Sequence, residues 1–234
     1  MARVVKAQEH AVKRNEILDS AQRLVETRGY EQMAIQDILD DLHISKGAFY
    51  HYFDSKGALL EALVDRMLVE VERLLTPIAQ DPHLTPSGAL QRFFVIFARY
   101  KAEQKPVILR VLSAWYGDDN AIVREKVRVA MAGRLRPLVA SIIRRGCEQG
   151  VFAVSYPDEA AHLVLGLTQD LGDALGRAVL EEQTEPDAHT PVEALMAATT
   201  EAVERVLGAA TGSFRLAEVG ALDTWFEQSR GAKQ

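Results

Sequence analysis

The sequence has one cysteine, Cys147, among its 234 residues. A single thiol cannot form an internal disulfide bond, and it cannot build a zinc site from several cysteine ligands. The 15 glycines and 8 prolines are too few for a collagen-like or low-complexity chain. The length indicates one or two globular domains, each able to bury a core without covalent cross-links.

Long hydrophobic runs are also missing from the sequence. No stretch approaches the ~18 uncharged apolar residues that a membrane-spanning helix requires. The first residues are charged and lack the apolar segment of a secretory leader. We therefore expect a cytoplasmic protein with no membrane partner.

Motifs of familiar catalytic chemistry are absent as well. The sequence contains no nucleophile elbow, P-loop, dinucleotide-binding fingerprint or His-Glu-x-x-His helix. Its six histidines show no spacing typical of metal ligands. These absences predict that the protein is not an enzyme and has no cofactor or metal site.

The net charge of −6 is unevenly distributed along the chain. The first 14 residues carry four basic side chains and one acidic side chain, namely Arg3, Lys6, Lys13, Arg14 and Glu9. Phosphate groups respond to local positive charge more than to the charge of a whole protein. The N-terminal arm is therefore a candidate contact for a polyanion.

The hydrophobic pattern predicts helices almost throughout and no strands. A first helix ends at Gly29, a short helix covers about Ile35–Leu42, and a turn at His43–Ile44 leads to Ser45. Ser45 is a good N-cap for a second short helix that ends near Tyr52. The fold class is thus all-α, with an N-terminal three-helix domain over residues 1–54 and a larger helical domain over residues 55–234.

Two short helices joined by a tight turn form a helix-turn-helix, whose second helix enters the DNA major groove. In the second helix, Phe49 and Phe53 share one face and can attach the helix to the rest of the domain. Lys46, Tyr50 and His51 lie on other faces, where they can meet phosphates or base edges. Lys56 follows the helix and is a further candidate for phosphate contact.

The segment from Gly29 to Leu60 resembles the DNA-binding domain of the tetracycline-repressor (TetR) family of bacterial regulators. The likeness is carried by Ile35-Gln36-Asp37-Ile38 and by Ser45-Lys46-Gly47-Ala48-Phe49-Tyr50-His51-Tyr52-Phe53-Asp54-Ser55-Lys56-Gly57-Ala58-Leu59-Leu60. It implies a homodimer that binds a palindromic double-stranded operator and responds to a small-molecule effector. It also implies DNA contacts from Ser45, Lys46, Gly47, Tyr50, His51, Tyr52 and Lys56, with Gln36 and Ala48 near base edges.

The sequence departs from the usual pattern of this family at several positions. Met33-Ala34 replaces a segment with a hydroxyl that caps the first short helix and reaches phosphate; Gln32 is a candidate substitute. His43 stands where glycine is usual, which predicts a residue held at positive φ. Asp41-Leu42 replaces a pair of alanines, and Ala48 replaces a frequent threonine.

The larger domain has two groups of candidate residues. Aromatic and polar side chains at helical spacing could line an effector pocket, although aromatic residues at such spacing more often fill a core: Phe93, Phe97, Tyr100, Trp115, Tyr116, Met131 and Gln169. Small residues on the predicted helices 156–182 and 190–208 could form a four-helix dimer interface or an ordinary internal helix pair: Gly166, Gly172, Ala194, Ala198 and Ala202, with His162 beside them.

The sequence leaves one alternative function and one alternative for the tail. The same fold could serve as a ligand- or protein-binding module that has lost DNA recognition. The segment after Thr211 could form a last short helix with Leu216, Val219, Leu222, Trp225 and Phe226 on it.

Overall fold

The structure is a computed structural model, and it describes residues 2–184, 191–218, 220, 222, 225 and 226. Within these residues every regular element is a helix, as the all-α prediction requires. The helices are α1 (Ala2–Arg28), α2 (Ile35–Leu42), α3 (Lys46–Tyr50), α4 (Lys56–Gln80), α5 (Pro86–Glu103), α6 (Lys105–Tyr116), α7 (Ala121–Glu148), α8 (Pro157–Thr184) and α9 (Val192–Leu207). None of the described helices combines the length and hydropathy needed to cross a bilayer.

The helices divide into two compact units. The first contains residues 1–67 and 106–128, and the second contains residues 68–105 and 129–234. Helix α4 therefore contributes residues to both units. This division describes packing; the functional boundary near residue 55 stays a prediction.

The core of the first unit is formed by the apolar stripes of α1, α2, α3 and the start of α4. Its buried members include Ile17, Leu18, Ile38, Phe49 and Leu59. Gly29 ends α1 with φ of +84°, a conformation that costs glycine little and other residues more. The chain can therefore turn sharply there, and α2 packs against α1.

The second unit has its own core, built from α5, the later parts of α4 and α7, α8, α9 and the segment after α9. Its buried members include Leu75, Leu90, Phe93, Leu135, Ile142, Val164, Val203 and Leu207. The helices α8 and α9 pack against each other. Thr190, the predicted start of the last long helix, lies outside the described residues, and Val192 is the first helical residue described after it.

The segment after α9 packs on this second core. Phe214 and Leu216 are buried, and the buried carboxylate of Glu204 accepts a hydrogen bond from the Gly212 amide at 3.0 Å. The predicted last helix is not found in the described part of the tail. Residues 214–218 are not helical, Val219 lies outside the described residues, and the Phe226 amide donates to the Leu222 carbonyl at 3.2 Å in a single turn.

Asp41, one of the departures noted above, connects α2 to α1. Its carboxylate accepts hydrogen bonds from the buried Ser20 hydroxyl at 2.6 Å and from the Arg23 guanidinium at 2.8 Å. These two bonds, with Ser20 contributing most, hold the pKa of Asp41 below its usual value. The hydrogen bonds that join α2 to α1 at this position therefore involve an ionised carboxylate.

We expect Asp41→Asn to lower the urea midpoint of unfolding at pH 7. The folded pKa lies below the unfolded value of about 3.9, so the stabilisation is complete above that value and is lost as pH falls through the folded pKa. The difference between the wild type and the variant should therefore shrink below about pH 4. Asp40→Asn, on the same helix and hydrogen-bonded to its neighbour Gln36, is the matched control; an equal effect from both variants contradicts this role of Asp41.

Candidate nucleic-acid interface

The turn between α2 and α3 has the geometry that the sequence predicts. His43 is in the left-handed conformation with φ of +51°, and Ile44 donates its amide to the Leu39 carbonyl at 3.0 Å. Ser45 is the N-cap of α3, where its hydroxyl accepts a hydrogen bond from the Ala48 amide at 3.2 Å. The direction in which α3 leaves the turn is therefore fixed by local interactions.

Helix α3 and the turn that follows it at residues 51–53 have two sides that differ sharply in burial. Phe49 is fully buried, Phe53 is 3% exposed, and their ring centroids are 5.9 Å apart. Tyr50 is 41% exposed, and Lys46 and His51 are exposed beside it. The phenylalanines attach the helix to its unit, so the basic and polar side chains are available to a partner.

The other predicted contact residues lie around this exposed face. Ser45, Gly47 and Gln36 are exposed, whereas Ala48 and Tyr52 are partly buried. The Lys46 ammonium lies 6.0 Å from the centroid of the Tyr50 ring, and Gln36 donates to the Asp40 carboxylate at 2.7 Å. Their contacts with DNA stay predictions.

Lys56 has interactions within the protein that its sequence position does not reveal. Its ammonium donates to the Glu31 carbonyl at 3.2 Å and lies 4.4 Å from the centroid of the Tyr30 ring. Burial lowers the pKa of Lys56, while the charges of Glu31 and Asp37 act in the opposite direction. The Tyr30 hydroxyl donates to the Lys56 carbonyl at 3.1 Å. Burial raises the pKa of Tyr30 to about 12. Lys56 therefore fixes the start of α4 as well as offering a positive charge.

The N-terminal part of α1 packs beside the end of α3, which sequence reasoning missed. The ring of His10 lies 4.6 Å from that of Tyr52 and 5.5 Å from that of His51, measured between centroids. Arg14 lies 5.0 Å from the centroid of Phe53. The local excess of basic residues was the available signal, but no pattern in the sequence pairs residue 10 with residues 51 and 52. His10 is exposed beside His51 and extends the exposed face, whereas Arg14 is partly buried against Phe53.

Comparison with known proteins bears directly on this arrangement. Residues 17–63 match the family model described as bacterial regulatory proteins of the tetR family, and residues 116–175 match the tetracyclin repressor-like C-terminal domain. The chain belongs to the TetR family. The first match covers α2, α3 and the start of α4, where the cap, the turn and the two-sided helix are found.

Individual relatives agree with this membership of the TetR family. The chain is 33% identical over 91 residues to the HTH-type transcriptional regulator EthR of Mycobacterium tuberculosis, an alignment that covers 37% of this chain and 42% of EthR. The chain thus matches well under half the length of this curated relative. Among solved structures, a TetR-family regulator from Pectobacterium atrosepticum has a TM-score of 0.59, with 22% identity, 87% coverage of this chain and 97% of that chain. Thermus thermophilus FadR in complex with lauroyl-CoA has a TM-score of 0.55, with 22% identity and coverages of 83% and 92%. The structural likenesses show the TetR fold.

The start of α2 is where this TetR-family protein lacks a hydroxyl cap. Ala34 is the N-cap residue, with φ of −97° and ψ of 156°, and Met33 is buried in the core. The Asp37 carboxylate accepts a hydrogen bond from the Ala34 amide at 2.7 Å, which is half of a capping box. The side-chain half is missing because alanine has no side-chain acceptor, and the Asp37 amide donates to the Ala34 carbonyl at 3.1 Å instead.

We expect Ala34→Thr to raise the free energy of unfolding by about 1 kcal/mol, since the backbone at residue 34 already has the extended conformation of an N-cap. Chemical denaturation measures the gain. Ala34→Val adds similar bulk without a hydroxyl and is the control. Equal stability of the two variants would show that the missing cap has no energetic consequence.

The residues predicted to line an effector pocket fall in both units. Phe93 is buried in the second core, where the partly buried Phe97, Tyr100 and Met131 pack against the same cluster. Gln169, on α8, is partly buried in the same unit. Trp115 and Tyr116 belong to the first unit, where Arg124 lies 5.8 Å from the centroid of Tyr116. The pocket as a whole stays a prediction.

The residues predicted for a dimer interface lie on α8 and α9. His162, Ala194 and Ala198 are exposed, and Gly166 and Ala202 are partly exposed. Leu163, next to His162, is a large apolar side chain with 55% exposure. Gly172 faces its own unit, since a Cβ atom there would lie 3.4 Å from the Lys101 ammonium. The interface itself stays a prediction.

Proposed function

We propose that the protein is a dimeric transcriptional repressor that binds a palindromic DNA operator and is released from it by a small-molecule effector. The observation that carries this proposal is that α3 and the turn after it have two sides, with Phe49 and Phe53 in the core and Lys46, Tyr50 and His51 exposed. A firmly attached helix with basic and hydrogen-bonding side chains outside suits the major groove.

The proposed mechanism requires two copies of α3 at a set spacing. Successive major grooves on one side of B-DNA are about 34–36 Å apart, so the dimer must hold its two α3 helices near that distance. An effector lowers operator affinity only if it binds better to a conformation with a different spacing. The change in operator affinity cannot exceed the ratio of the effector's affinities for the two conformations.

Supporting considerations come from the relatives and from the surface of α8 and α9. Relatives are titled transcriptional regulators, and one of similar fold holds lauroyl-CoA. The exposed alanines 194 and 198 lie one turn apart on α9, with Leu163 exposed on α8. Small side chains at such spacing allow a second pair of helices to approach closely.

Selection of bound sites from a random-sequence duplex pool tests the proposal. The expected product is a palindrome whose half-site centres are about 10 base pairs, or a multiple of one helical turn, apart. Enrichment of a single asymmetric site, or no enrichment, contradicts a dimer with two equivalent reading helices. A catalogue of small molecules can then be screened for release from the selected duplex.

A further inference from the structure

The second unit contains a lysine whose ammonium is poorly compensated. Lys101, on α5, directs its ammonium to within 4.6 Å of the centroid of the Phe97 ring. On α8, a Cβ atom at Gly172 would lie 3.4 Å from the same ammonium, so the ammonium lies next to the backbone of α8 at this glycine. These contacts put a positive charge between two helices of one unit.

The surroundings do not neutralise this charge fully. Desolvation lowers the pKa of Lys101, and the charge of Asp173 opposes that effect. Asp173 itself has a further interaction partner. Among the described residues, no carboxylate lies within ion-pair distance of the Lys101 ammonium. A partly buried cation without a close counter-ion loses hydration that a bound anion can replace, so it indicates a site that a ligand completes.

The neighbouring side chains are apolar and keep accessible surface. Phe97 and Tyr100 on α5, and Leu175 one turn beyond Gly172 on α8, pack against the second core yet stay only partly buried. The side chain of Lys101 also keeps part of its surface accessible. An accessible apolar surface around one desolvated cation is typical of a small-molecule site with a single polar anchor.

We propose that Lys101 is the anion-binding group of the effector site, and that the effector is a small monocarboxylate with an apolar aryl or alkyl body. One ammonium balances one negative charge, and the nearby Asp173 disfavours a dianion such as a phosphate monoester. The apolar body packs on Phe97 and covers apolar surface that is accessible in the free protein. This inference rests on the proposed function, because it names the chemical class of the proposed effector.

Binding to the protein without DNA tests the site directly. The probes are benzoate, phenylacetate, 1-naphthoate, hexanoate, octanoate and decanoate, each compared with its primary amide by calorimetric titration. We expect at least one carboxylate to bind with a dissociation constant below about 1 mM and more tightly than its amide. Lys101→Met should lower that carboxylate's affinity roughly 10- to 100-fold, as expected for a lost charge-assisted hydrogen bond, and leave the amide unchanged.

Two further variants separate charge from folding. Arg99→Met removes an exposed cation from the same helix, so the carboxylate preference should survive. Gly172→Ala keeps the charge and places a methyl group 3.4 Å from the ammonium, which should weaken carboxylate binding. No carboxylate preference in the wild type, or an unchanged preference in Lys101→Met, overturns the inference.

The carboxylate-binding experiment and the operator selection can overturn their two proposals independently. Loss of the carboxylate preference overturns the assignment of Lys101 and leaves operator selection as it was. Failure to select an operator overturns the repressor proposal, whereas the binding comparison on free protein still decides the anion site. If the best carboxylate binds through Lys101 and also releases the selected duplex, both proposals are supported.

Discussion

Tyr50→Ala is expected to lower affinity for the selected operator about 100-fold or more while leaving the protein folded. Tyr50 is 41% exposed, and only the edge of its ring packs against the buried Phe49, with the centroids 5.5 Å apart. A direct base or phosphate contact contributes about 1–3 kcal/mol, and a dimer loses it at both half-sites. Fluorescence anisotropy with the selected duplex measures the loss, and circular dichroism with thermal unfolding reports the fold.

Companion variants identify the origin of the effect. Tyr50→Phe keeps the ring near the Lys46 ammonium and removes only the hydroxyl, so it separates hydrogen bonding from packing. Lys46→Ala should reduce the dependence of log affinity on log salt by about 1 for each half-site. Lys126→Ala is its control, because that ammonium pairs with Glu61 at 2.9 Å. Unchanged operator affinity in Tyr50→Ala, Lys46→Ala and His51→Ala would remove α3 from the DNA interface.

Ala198→Arg is expected to convert the dimer to a monomer and to weaken operator binding by roughly 10²–10⁴-fold. Ala198 is exposed within its own unit, so an isolated chain can accommodate the longer side chain in solvent. Between closely packed helices of two subunits the same side chain would prevent approach. The loss of affinity follows because the second α3 no longer binds as part of the same molecule.

Analytical ultracentrifugation at micromolar concentration measures the assembly state of this variant. Ala130→Arg, at an exposed position of α7, is the matched control and should remain dimeric with normal operator affinity. A wild-type protein that is monomeric under these conditions contradicts the proposed interface. So does an Ala198→Arg variant that stays dimeric.

Local features of the first unit could be predicted from sequence because short-range interactions decide them. The bounds of α2, the cap at Ser45 and the positive φ of His43 depend on residues within one turn of each other. The separation of Phe49 and Phe53 from Tyr50 follows from helical periodicity, which continues past α3 because the Phe53 amide donates to the Phe49 carbonyl at 3.1 Å. These are the features that orient the candidate reading helix.

Contacts between distant parts of the chain could not be predicted in the same way. The stacking of His10 on Tyr52 joins residues 42 positions apart, and the contact of Lys101 with Gly172 joins residues on α5 and α8. The contacts of the Lys56 ammonium with the Tyr30 ring and the Glu31 carbonyl likewise could be found only from the structure. The tail shows the same limit, since the apolar spacing of Leu216 and Leu222 suggested a helix where Phe214 and Leu216 instead pack on the second core.

Titration of the selected duplex and of a scrambled duplex, at about 50 and about 200 mM salt, tests the central claim most directly. Sequence-specific recognition by α3 predicts that the selected duplex binds at least about 10³-fold more tightly than the scrambled one at the higher salt. Equal, weak binding of both duplexes that falls steeply with salt would contradict that claim. The chain would then have kept the TetR fold without its DNA recognition.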